Sequence, residues 1–571
     1  MQQVASPMRP TEEERQLYYY GLPSCPKLVA RSSTHVWVNP QRPGPTTYVG
    51  VANMYPKTLR PVGRHQVLHQ LWNDAASSLR VQILAAVSMA DWTAIDILRV
   101  GVNEEFRITL MVAVSPDTLS WRAGYDIALR CKSILEAHDV HGVHCEIRES
   151  VVSFCTEADS TTNSTTNSRT DSTMNPTMDS PTTSTIMTEY APKKSATFQL
   201  SSAQIPAQDD FAGMYADMSD CLGTKIAMKH MDFLAGTKGL YLSLPPSSTG
   251  GEPRILAMTC RHVVIDAEKE GLKTYHRQES GGFKEVIQID QPTYMDTVKY
   301  LRKQATGSRN DADEYSRLGE DKYADSLEDV VRSAMTLEGA MAPFEAASSR
   351  VFGQLLFSPE FAYATDPSRG TKWLRDWALI ELLPNCHQAP LRSIKNKVYI
   401  GTRSKFKELA REGKAGWEGL PEPKCPPVID GCIELQRVVV PMDEIFKPTH
   451  TAKYFDEPAM FVAKYGARGG LTLGLGNTLK SVVRHVNNVD GTRSSTSEEW
   501  AIISVNGAFD RQAAFSKRGD SGSCVWDMER RPAGIIGAGC NMNGMNDITY
   551  AQPLERLIRD IKAHTFDVSL V

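Results

Sequence analysis

The sequence lacks the long apolar runs of a membrane protein and lacks an excess of either charge. No stretch reaches the ~20 consecutive apolar residues that a membrane-spanning helix needs. Residues 1–14 are polar and acidic, without the apolar core of a secretory signal peptide. The formal net charge is −4 at pH 7 and the pI is near 6.4. This near balance gives no electrostatic reason to expect a nucleic acid or an anionic membrane as a partner.

Cysteine is sparse and shows neither disulfide nor metal-site spacing. The 11 cysteines among 571 residues are an odd number and are scattered along the chain. Reduced thiols in an intracellular compartment, cytoplasmic or nuclear, are therefore expected. His138, His141 and His144, next to Cys145, straddle a predicted helix end and a predicted strand. They do not share one face, so we predict no metal site there.

Composition and patterning divide the chain into three parts. Residues 15–155 have the signals of an α+β domain of unknown role, with strands at 95–100, 108–114 and 143–148. A helix is expected to begin near Leu119, capped by Asp117 or Thr118. Residues 156–200 are rich in Ser and Thr and predict a disordered linker. Residues 205–571 form the third part, which contains the motifs described next.

Three short motifs in the third part point to nucleophilic catalysis. The run Gly519-Asp-Ser-Gly522 is typical of a turn that exposes a serine hydroxyl, here that of Ser521. The apolar run 255–259 leads to His262, which is a suitable general base near neutral pH. Asp376 leads directly into the apolar run 377–383. Each residue alone has an ordinary structural explanation, but three matching contexts in the order His, Asp, Ser favour a catalytic triad.

With these motifs, residues from about 220 to 571 resemble a trypsin/chymotrypsin-like serine protease domain, in particular the intracellular fungal members that lack disulfides. Further matching segments are a glycine-rich hairpin at 461–476, a strand at 533–539, and a strand at 548–554 that runs into a terminal helix. The resemblance implies an all-β double antiparallel β-barrel after the α+β N-terminal domain. A charged insertion at 268–350 is predicted to be helical, with a capping box at Ser326 and Asp329. It is expected either to pack outside the barrel or to form a lid or docking surface.

The resemblance also implies roles for individual residues. Ser521 would attack the scissile carbonyl, His262 would accept and return the proton, and Asp376 would orient His262. The backbone N–H groups of Gly519 and Ser521 would bind the oxyanion. The substrate pocket would be formed by Phe515 at its base together with Gly537 and Gly539, which argues against a preference for Lys or Arg.

This chain departs from the family pattern at two of its positions. Gly537 stands where the family usually has a serine that hydrogen-bonds the catalytic aspartate, and Ser523 stands where glycine is commoner. In family members that are activated by trimming, the residue matching Asp520 pairs with a new N-terminal amine. The sequence leaves open whether such pairing occurs in this chain.

The predicted function is a serine endopeptidase that acts on protein or peptide substrates without a metal or other cofactor. Residues 15–155 are hypothesised to be a regulatory pro-domain acting within the same chain, with self-cleavage in or near 156–200. One alternative is a catalytically weak or inactive protease homologue that serves as a binding module. A second is an esterase of the α/β-hydrolase type, which ranks lower because Ser523 breaks the Gly-x-Ser-x-Gly pattern and the acid and histidine precede the serine.

Overall fold

The computed structural model of the chain describes most residues outside the Ser/Thr-rich linker. The described residues are 9–41, 56–102, 105–154, 200, 205, 211–246, 251–277, 283–366, 370–412, 426–448, 452–454, 457–484, 495–505, 507–508 and 511–571. The predicted disordered linker at 156–200 lies outside them except for Leu200. The disorder of that segment stays a prediction.

The described chain up to residue 154 contains both helices and strands. Its helices are α1 (Glu12–Leu17), α2 (Gln66–Trp72), α3 (Ser78–Val87) and α4 (Trp121–Ala137). Its strands are β1 (Leu28–Arg31), β2 (Thr58–Arg60), β3 (Trp92–Val102), β4 (Glu105–Val114), β5 (His144–Glu149) and β6 (Val151–Phe154).

Residues 211–383 contain ten strands and five α-helices among the described elements. The helices are α5 (Ala212–Asp217), α6 (Arg261–Val264), α7 (Ala267–Glu270), α8 (Gln291–Arg317) and α9 (Asp321–Met341). The strands are β7 (Lys225–Met228), β8 (Met231–Thr237), β9 (Leu240–Leu244), β10 (Arg254–Thr259), β11 (Tyr275–His276), β12 (Glu285–Gln288), β13 (Val351–Ser358), β14 (Tyr363–Thr365), β15 (Lys372–Leu374) and β16 (Ala378–Leu382).

The rest of the described chain is mostly β-structure. Its helices are α10 (Arg403–Glu412), α11 (Met442–Phe446) and α12 (Leu554–Ala563). Its strands are β17 (Lys397–Tyr399), β18 (Cys432–Glu434), β19 (Ala452–Tyr454), β20 (Glu457–Gly466), β21 (Gly470–Gly476), β22 (Ser481–Val483), β23 (Ser497–Ser504), β24 (Gly507–Ala508), β25 (Arg511–Gln512), β26 (Cys524–Asp527), β27 (Pro532–Asn541), β28 (Ile548–Pro553) and β29 (Ser569–Leu570).

Six strands of the C-terminal part close into an antiparallel β-barrel. Pairing runs from β20 to β21, β23, β28, β27 and β26, and β26 pairs again with β20. Within this ring each strand has a partner on both sides. Their inward side chains form an apolar core that includes Val462, Trp500, Ile502, Val525 and Ile536.

A second sheet has nine strands, and two of the three predicted triad residues, His262 and Asp376, lie next to its strands. Its strands pair in the order β29, β9, β10, β16, β13, β12, β7, β8, and β11 also pairs with β13. Strands β9 and β10 are antiparallel neighbours, and β10 contains the apolar run at 255–259. Helices α8 and α9 of the insertion pack against each other and, with α5, enclose a separate apolar cluster.

The N-terminal strands are joined to the closed barrel in one continuous sheet. Helix α4 connects β4 to β5, and these two strands are parallel, as expected for a strand–helix–strand crossover. Strand β22 pairs with β3 on one side and with β23 of the barrel on the other. Strand β6 pairs with β27. No helix among the described residues has the length and apolarity needed to cross a membrane.

Two predicted helix caps are wrong. Helix α4 is capped by Ser120, whose side chain accepts the Ala123 N–H, whereas Asp117 adopts a left-handed φ of 58° before the helix. Ser326 lies inside α9, and its hydroxyl donates to the carbonyl of Tyr323. The polar residues chosen as caps are thus turn or helix-surface residues, because Ser, Thr and Asp suit all three settings.

Candidate active site

Strand pairing brings His262 and Asp376 to the same end of the nine-stranded sheet. Strands β10 and β16 are antiparallel, with Thr259 opposite Ala378. The residues after β10 therefore lie beside the residues before β16. His262 follows β10 in α6, and Asp376 precedes β16.

Ser521 comes from the closed barrel, in the loop before β26. This loop needs glycine on both sides of the serine, because Gly519 has φ +98° and Gly522 has φ +91°. A Cβ on Gly522 would lie 2.3 Å from the carbonyl oxygen of Thr237. The Thr237 N–H donates to the Ser521 carbonyl (2.7 Å) and the Thr237 hydroxyl donates to the Gly519 carbonyl (2.9 Å). The end of β8 therefore fixes the nucleophile loop against the other sheet.

The structure brings the three predicted triad side chains into a chain of hydrogen bonds. His262 Nδ1 lies 2.5 Å from Asp376 Oδ2, and His262 Nε2 lies 2.7 Å from Ser521 Oγ. The backbone N–H of His262 donates to Asp376 Oδ1 at 3.1 Å. All three side chains are buried. With the ring proton on Nδ1, the imidazole donates to the carboxylate and its Nε2 is free to accept the serine proton.

Gly537 lies at a bulge beside this chain of hydrogen bonds. The pairing of β27 with β28 shifts register between Ile536 and Ala538, which makes Gly537 the extra residue. Its carbonyl oxygen lies 3.1 Å from Ser521 Oγ, as an alternative acceptor for the hydroxyl proton. A Cβ built on Gly537 would lie 3.7 Å from Asp376 Oδ2. The absent side chain therefore faces the carboxylate of Asp376.

Asp520 forms a buried ion pair with Lys464. Lys464 Nζ donates to Asp520 Oδ2 at 2.8 Å, and neither side chain is exposed to solvent. Asp520 also accepts the backbone N–H groups of Arg468, Gly469 and Lys517 at 3.0, 2.8 and 3.0 Å. An internal lysine of β20 thus supplies the positive charge next to the nucleophile.

The predicted oxyanion donors occupy the nucleophile loop as the motif implies. Within the described part of the chain, the N–H groups of Gly519 and Ser521 make none of the backbone hydrogen bonds that hold this loop, whereas those of Asp520, Gly522 and Ser523 do. These two donors are therefore not engaged in holding the loop together. Their role as an oxyanion hole stays a prediction.

The predicted pocket residues are distributed between core and cleft. Phe515 packs into the apolar core of the closed barrel and is 1% exposed. Gly539 is closely covered by Asn546, since a Cβ there would lie 2.1 Å from Asn546 Cγ. Asn546 Nδ2 donates to Ser516 Oγ at 2.8 Å, and Ser516 Oγ lies 2.7 Å from Thr549 Oγ1. Next to Gly539 the structure thus has uncharged polar groups, while Phe515 turns into the core.

One feature of the cleft escaped sequence reasoning. Strand β6 pairs with β27, and the ring of Phe154 stacks on His262 with centroids 4.4 Å apart and an interplanar angle of 28°. No motif marks residues 151–154, and the pairing joins residues that are almost 390 positions apart in sequence. Only a search for segments able to pair with the backbone edge of β27 at residues 538–541 would have suggested it.

A second group of residues fixes the backbone around the triad. Arg261 donates to Ser358 Oγ at 3.1 Å, and the Ser358 hydroxyl donates to the carbonyl of Trp377 at 2.8 Å. Arg261 and Trp377 are the neighbours of His262 and Asp376 in sequence, so Ser358 links the segments that carry those two residues. The Trp377 indole N–H donates to Asp560 of α12 at 2.8 Å.

Two titratable arrangements lie close to the triad. Burial raises the pKa of Glu499 to about 7, and the negative charge of Asp376 contributes a smaller part of that increase. Cys260, His262 and Asp376 hold their ligand atoms within 4.8 Å of one another, which among the described residues makes them a candidate metal-binding group. Both ring nitrogens of His262 are already within hydrogen-bond distance of Asp376 and Ser521, so a metal would have to displace one of them.

No family model matches the chain, and no curated protein matches it. Among solved structures, the chain is similar to a glutamic acid specific serine protease that utilizes a histidine triad in substrate binding, with 9% identity, a TM-score of 0.25, and coverage of 62% of this chain and 100% of the other. It is also similar to Cellulomonas bogoriensis chymotrypsin, with 13% identity, a TM-score of 0.19, and coverage of 38% and 75%. Both structural neighbours are serine proteases. Because both TM-scores are below 0.5, neither likeness supports a functional inference by itself.

Proposed function

We propose that the chain is a serine endopeptidase that hydrolyses peptide bonds. The observation that carries the proposal is the hydrogen-bonded sequence Asp376–His262–Ser521, with separations of 2.5 and 2.7 Å. Two of these residues come from one sheet and the third from the closed barrel. Burying three polar side chains together costs free energy of desolvation, so their convergence indicates that a function maintains it.

The chemistry follows from the position of each group. Ser521 attacks the scissile carbonyl carbon while His262 Nε2 takes its proton. Asp376 keeps the imidazole in the tautomer with the proton on Nδ1 and stabilises the imidazolium. The N–H groups of Gly519 and Ser521 would hold the negative oxygen, and His262 would return the proton to the leaving amine. The reaction requires water and no cofactor.

Regulation by the N-terminal part belongs to the same proposal. The nine-stranded sheet would form the first barrel of a two-barrel protease, with the cleft between it and the closed barrel. Residues up to 154 reach into that cleft through β6, which supports self-processing near the start of the linker. Protein or peptide chains in an intracellular compartment would be the substrates.

A protease homologue that only binds peptides is the second candidate. The observation that favours it is Gly537, which leaves Asp376 without the serine hydroxyl usual in the family. Labelling with a fluorophosphonate separates the two, because the reagent reacts only with an activated serine. We expect stoichiometric labelling of the protein at Ser521 and none in Ser521→Ala. If a folded variant that lacks the Phe154 ring over His262 still stays unlabelled, the binding module is supported.

A chelator provides the control for metal chemistry at the same site. Since Cys260, His262 and Asp376 are close enough to hold an ion, labelling is to be repeated after treatment with EDTA. A triad mechanism predicts an unchanged labelling rate. A rate that falls with EDTA and returns with a divalent cation would contradict it.

A further inference from the structure

Strand β6 occupies a backbone edge of β27 beside the candidate nucleophile. Along this edge β26 pairs with residues 532–535 of β27 and β6 pairs with residues 538–541, while β28 pairs along the opposite edge. Gly537 lies between the two pairings, and its carbonyl oxygen is 3.1 Å from Ser521 Oγ. An extended peptide binds to a sheet edge by adding a strand to it. In this structure the added strand beside Ser521 belongs to the chain itself.

The side chain at the end of β6 covers the candidate base. The Phe154 ring stacks on the imidazole of His262 with centroids 4.4 Å apart. Ser521 has no exposed surface and His262 is only 9% exposed. A carbonyl carbon has to come within about 3–3.5 Å of the attacking oxygen before it can react. A substrate therefore cannot reach Ser521 until the groups that cover the site move.

The N-terminal part is anchored to the barrel just before β6 begins. The buried guanidinium of Arg148 lies 3.2 Å from Asp547, and the Ser150 hydroxyl donates to the carbonyl of Asn541 at 3.2 Å. Strand β6 itself is held less firmly, because Val152 is the one buried residue among its four. It is thus a short arm that extends from a fixed anchor along the edge of the barrel.

We infer that β6 is an internal inhibitor, and that it has to detach from residues 538–541 before a peptide can reach Ser521. The inference rests on the proposed function. Only the arm moves, since the Arg148–Asp547 ion pair and the pairing of β3 with β22 keep the N-terminal part in place. A substrate then pairs with β27 in the position that β6 has left. Substrate and arm compete, so the apparent affinity for a substrate falls with the fraction of molecules in which the arm is detached.

A disulfide that locks β6 on β27 provides the first test. Val152 and Cys540 are opposite each other in the strand pairing and belong to the same apolar cluster, so their side chains share one face of the sheet. Val152→Cys places a second thiol beside the native one, and oxidised glutathione can convert the pair to a disulfide. We expect oxidation of this variant to slow fluorophosphonate labelling of Ser521 about tenfold or more, and dithiothreitol to restore the rate.

Two controls accompany the locked variant. Val152→Ser has a side chain of similar size without the thiol, so oxidised glutathione should not change its labelling rate. Mass mapping of unreduced peptides shows whether residues 152 and 540 are joined. If the locked protein is labelled as fast as its reduced form, the inference is wrong. It is also wrong if no disulfide forms, because the two residues would then not lie opposite each other.

Removal of the aromatic ring tests the opposite change. Phe154→Ala loses the stacking on His262 and is expected to speed labelling of Ser521 about tenfold. Phe283→Ala, at an exposed phenylalanine in the loop before β12, is the matched control and should be labelled at the wild-type rate. Misfolding would slow labelling, so a faster rate cannot arise from it. An unchanged rate in Phe154→Ala overturns the inference.

Hydrogen exchange shows whether the arm moves alone. The measurement uses the full-length Ser521→Ala chain, in which the proposed self-cleavage cannot occur. Backbone amides of β6 are expected to exchange about tenfold faster than those of β5, because β6 detaches while the anchor at Arg148 stays in place. Equal exchange of the two strands would show that the N-terminal part leaves as one unit, which contradicts a separate arm.

The two proposals fail in different ways. If Ser521 is labelled at the same rate in the locked, the reduced and the Phe154→Ala proteins, the inference is wrong and the proposed function stands. If Ser521 is labelled in none of these proteins although each is folded, the proposed function is wrong and the inference falls with it.

Discussion

Lys464 neutralises Asp520 inside the protein, one residue before the candidate nucleophile. The ammonium nitrogen lies 2.8 Å from the carboxylate, and both side chains are fully buried. In family members activated by trimming, a new N-terminal amine is expected at this carboxylate. Here the charge belongs to β20, so the nucleophile loop is ordered without a newly formed N-terminus. If the chain cleaves itself at the linker, as proposed, that cleavage would not be needed to bring the three side chains together.

Replacing Lys464 is expected to unfold or disorder the nucleophile loop. Lys464→Met leaves Asp520 as an uncompensated buried charge, which costs about 3–5 kcal/mol in proteins where such pairs have been broken. We expect the free energy of unfolding in urea to fall by that order and Ser521 labelling to be lost at temperatures where the fold persists. Circular dichroism and fluorophosphonate labelling provide the two measurements.

The matched controls separate the charge from the side-chain volume. Lys464→Met combined with Asp520→Asn removes both charges and should recover most of the lost stability. Arg332→Met removes an exposed cation of α9 whose ion pair with Asp329 is solvated, so little change is expected. A loss below about 1 kcal/mol in Lys464→Met would contradict a structural role for the pair.

Gly537→Ser is expected to increase the activity. A Cβ at this position would lie 3.7 Å from Asp376 Oδ2 and would meet no closer atom, so a serine fits there. Its hydroxyl can donate to Asp376 and stabilise the carboxylate beside the imidazolium that forms during acylation. A hydrogen bond to a charged group contributes about 1.5–3 kcal/mol, so an increase of roughly tenfold in the labelling rate is reasonable. Gly537→Ala, which adds only the Cβ, should show no increase, and an equal increase in both variants would rule out the hydrogen bond.

Local patterns were sufficient to predict the elements that carry the triad. The apolar runs before His262 and after Asp376 are β10 and β16, and the strand predicted at 533–539 is part of β27. Each of these signals lies within ten residues. It consists of apolar and β-branched side chains in a run, which is typical of a buried strand. The Gly-rich nucleophile turn is equally local, because Gly519 and Gly522 are required by their positive φ.

Relationships between distant segments were beyond sequence reasoning. Helix α8 has 27 residues, but its few buried positions include Ala305 and Ala312, so its apolar face is weak. The partner of Asp520 is one of many lysines and lies 56 positions away. The seating of β6 on β27 depends on tertiary pairing, which leaves no mark in the four residues themselves. The sequence therefore predicted which three side chains come together, but not what holds or covers them.

Glu499 should make the protein less stable as the pH rises. Burial raises its pKa from 4.5 to about 7, so the folded chain favours the neutral carboxyl. Below pH ~4.5 the carboxyl is neutral in both the folded and the unfolded chain, so its burial does not reduce stability. As the pH rises to ~7, the unfolded chain ionises first and the loss of stability reaches about 3 kcal/mol. Glu499→Gln removes the titration. The gain in the free energy of unfolding of Glu499→Gln over the wild type is expected to be about 2 kcal/mol larger at pH 8.5 than at pH 5.5.

The comparison between two pH values cancels any packing defect of the glutamine. Glu328→Gln, at an exposed position of α9, is the control and should show no such difference. Urea unfolding at both pH values provides the measurement. An equal effect of Glu499→Gln at the two pH values would show that the carboxyl is already ionised in the folded protein at pH 5.5.

Arg148 should be essential for the joint stability of the N-terminal part and the barrel. Its guanidinium lies 3.2 Å from Asp547, and both side chains are fully buried. Asp547 also accepts the backbone N–H and the hydroxyl of Ser24, each at 2.7 Å, so three segments meet at one carboxylate. Arg148→Met leaves that carboxylate uncompensated, and the free energy of unfolding is expected to fall by about 3–5 kcal/mol.

Since strands from both parts share one sheet, the variant should still unfold in a single transition. Circular dichroism and loss of Ser521 labelling should therefore follow the same urea curve, whereas two separate transitions would show that the N-terminal part unfolds on its own.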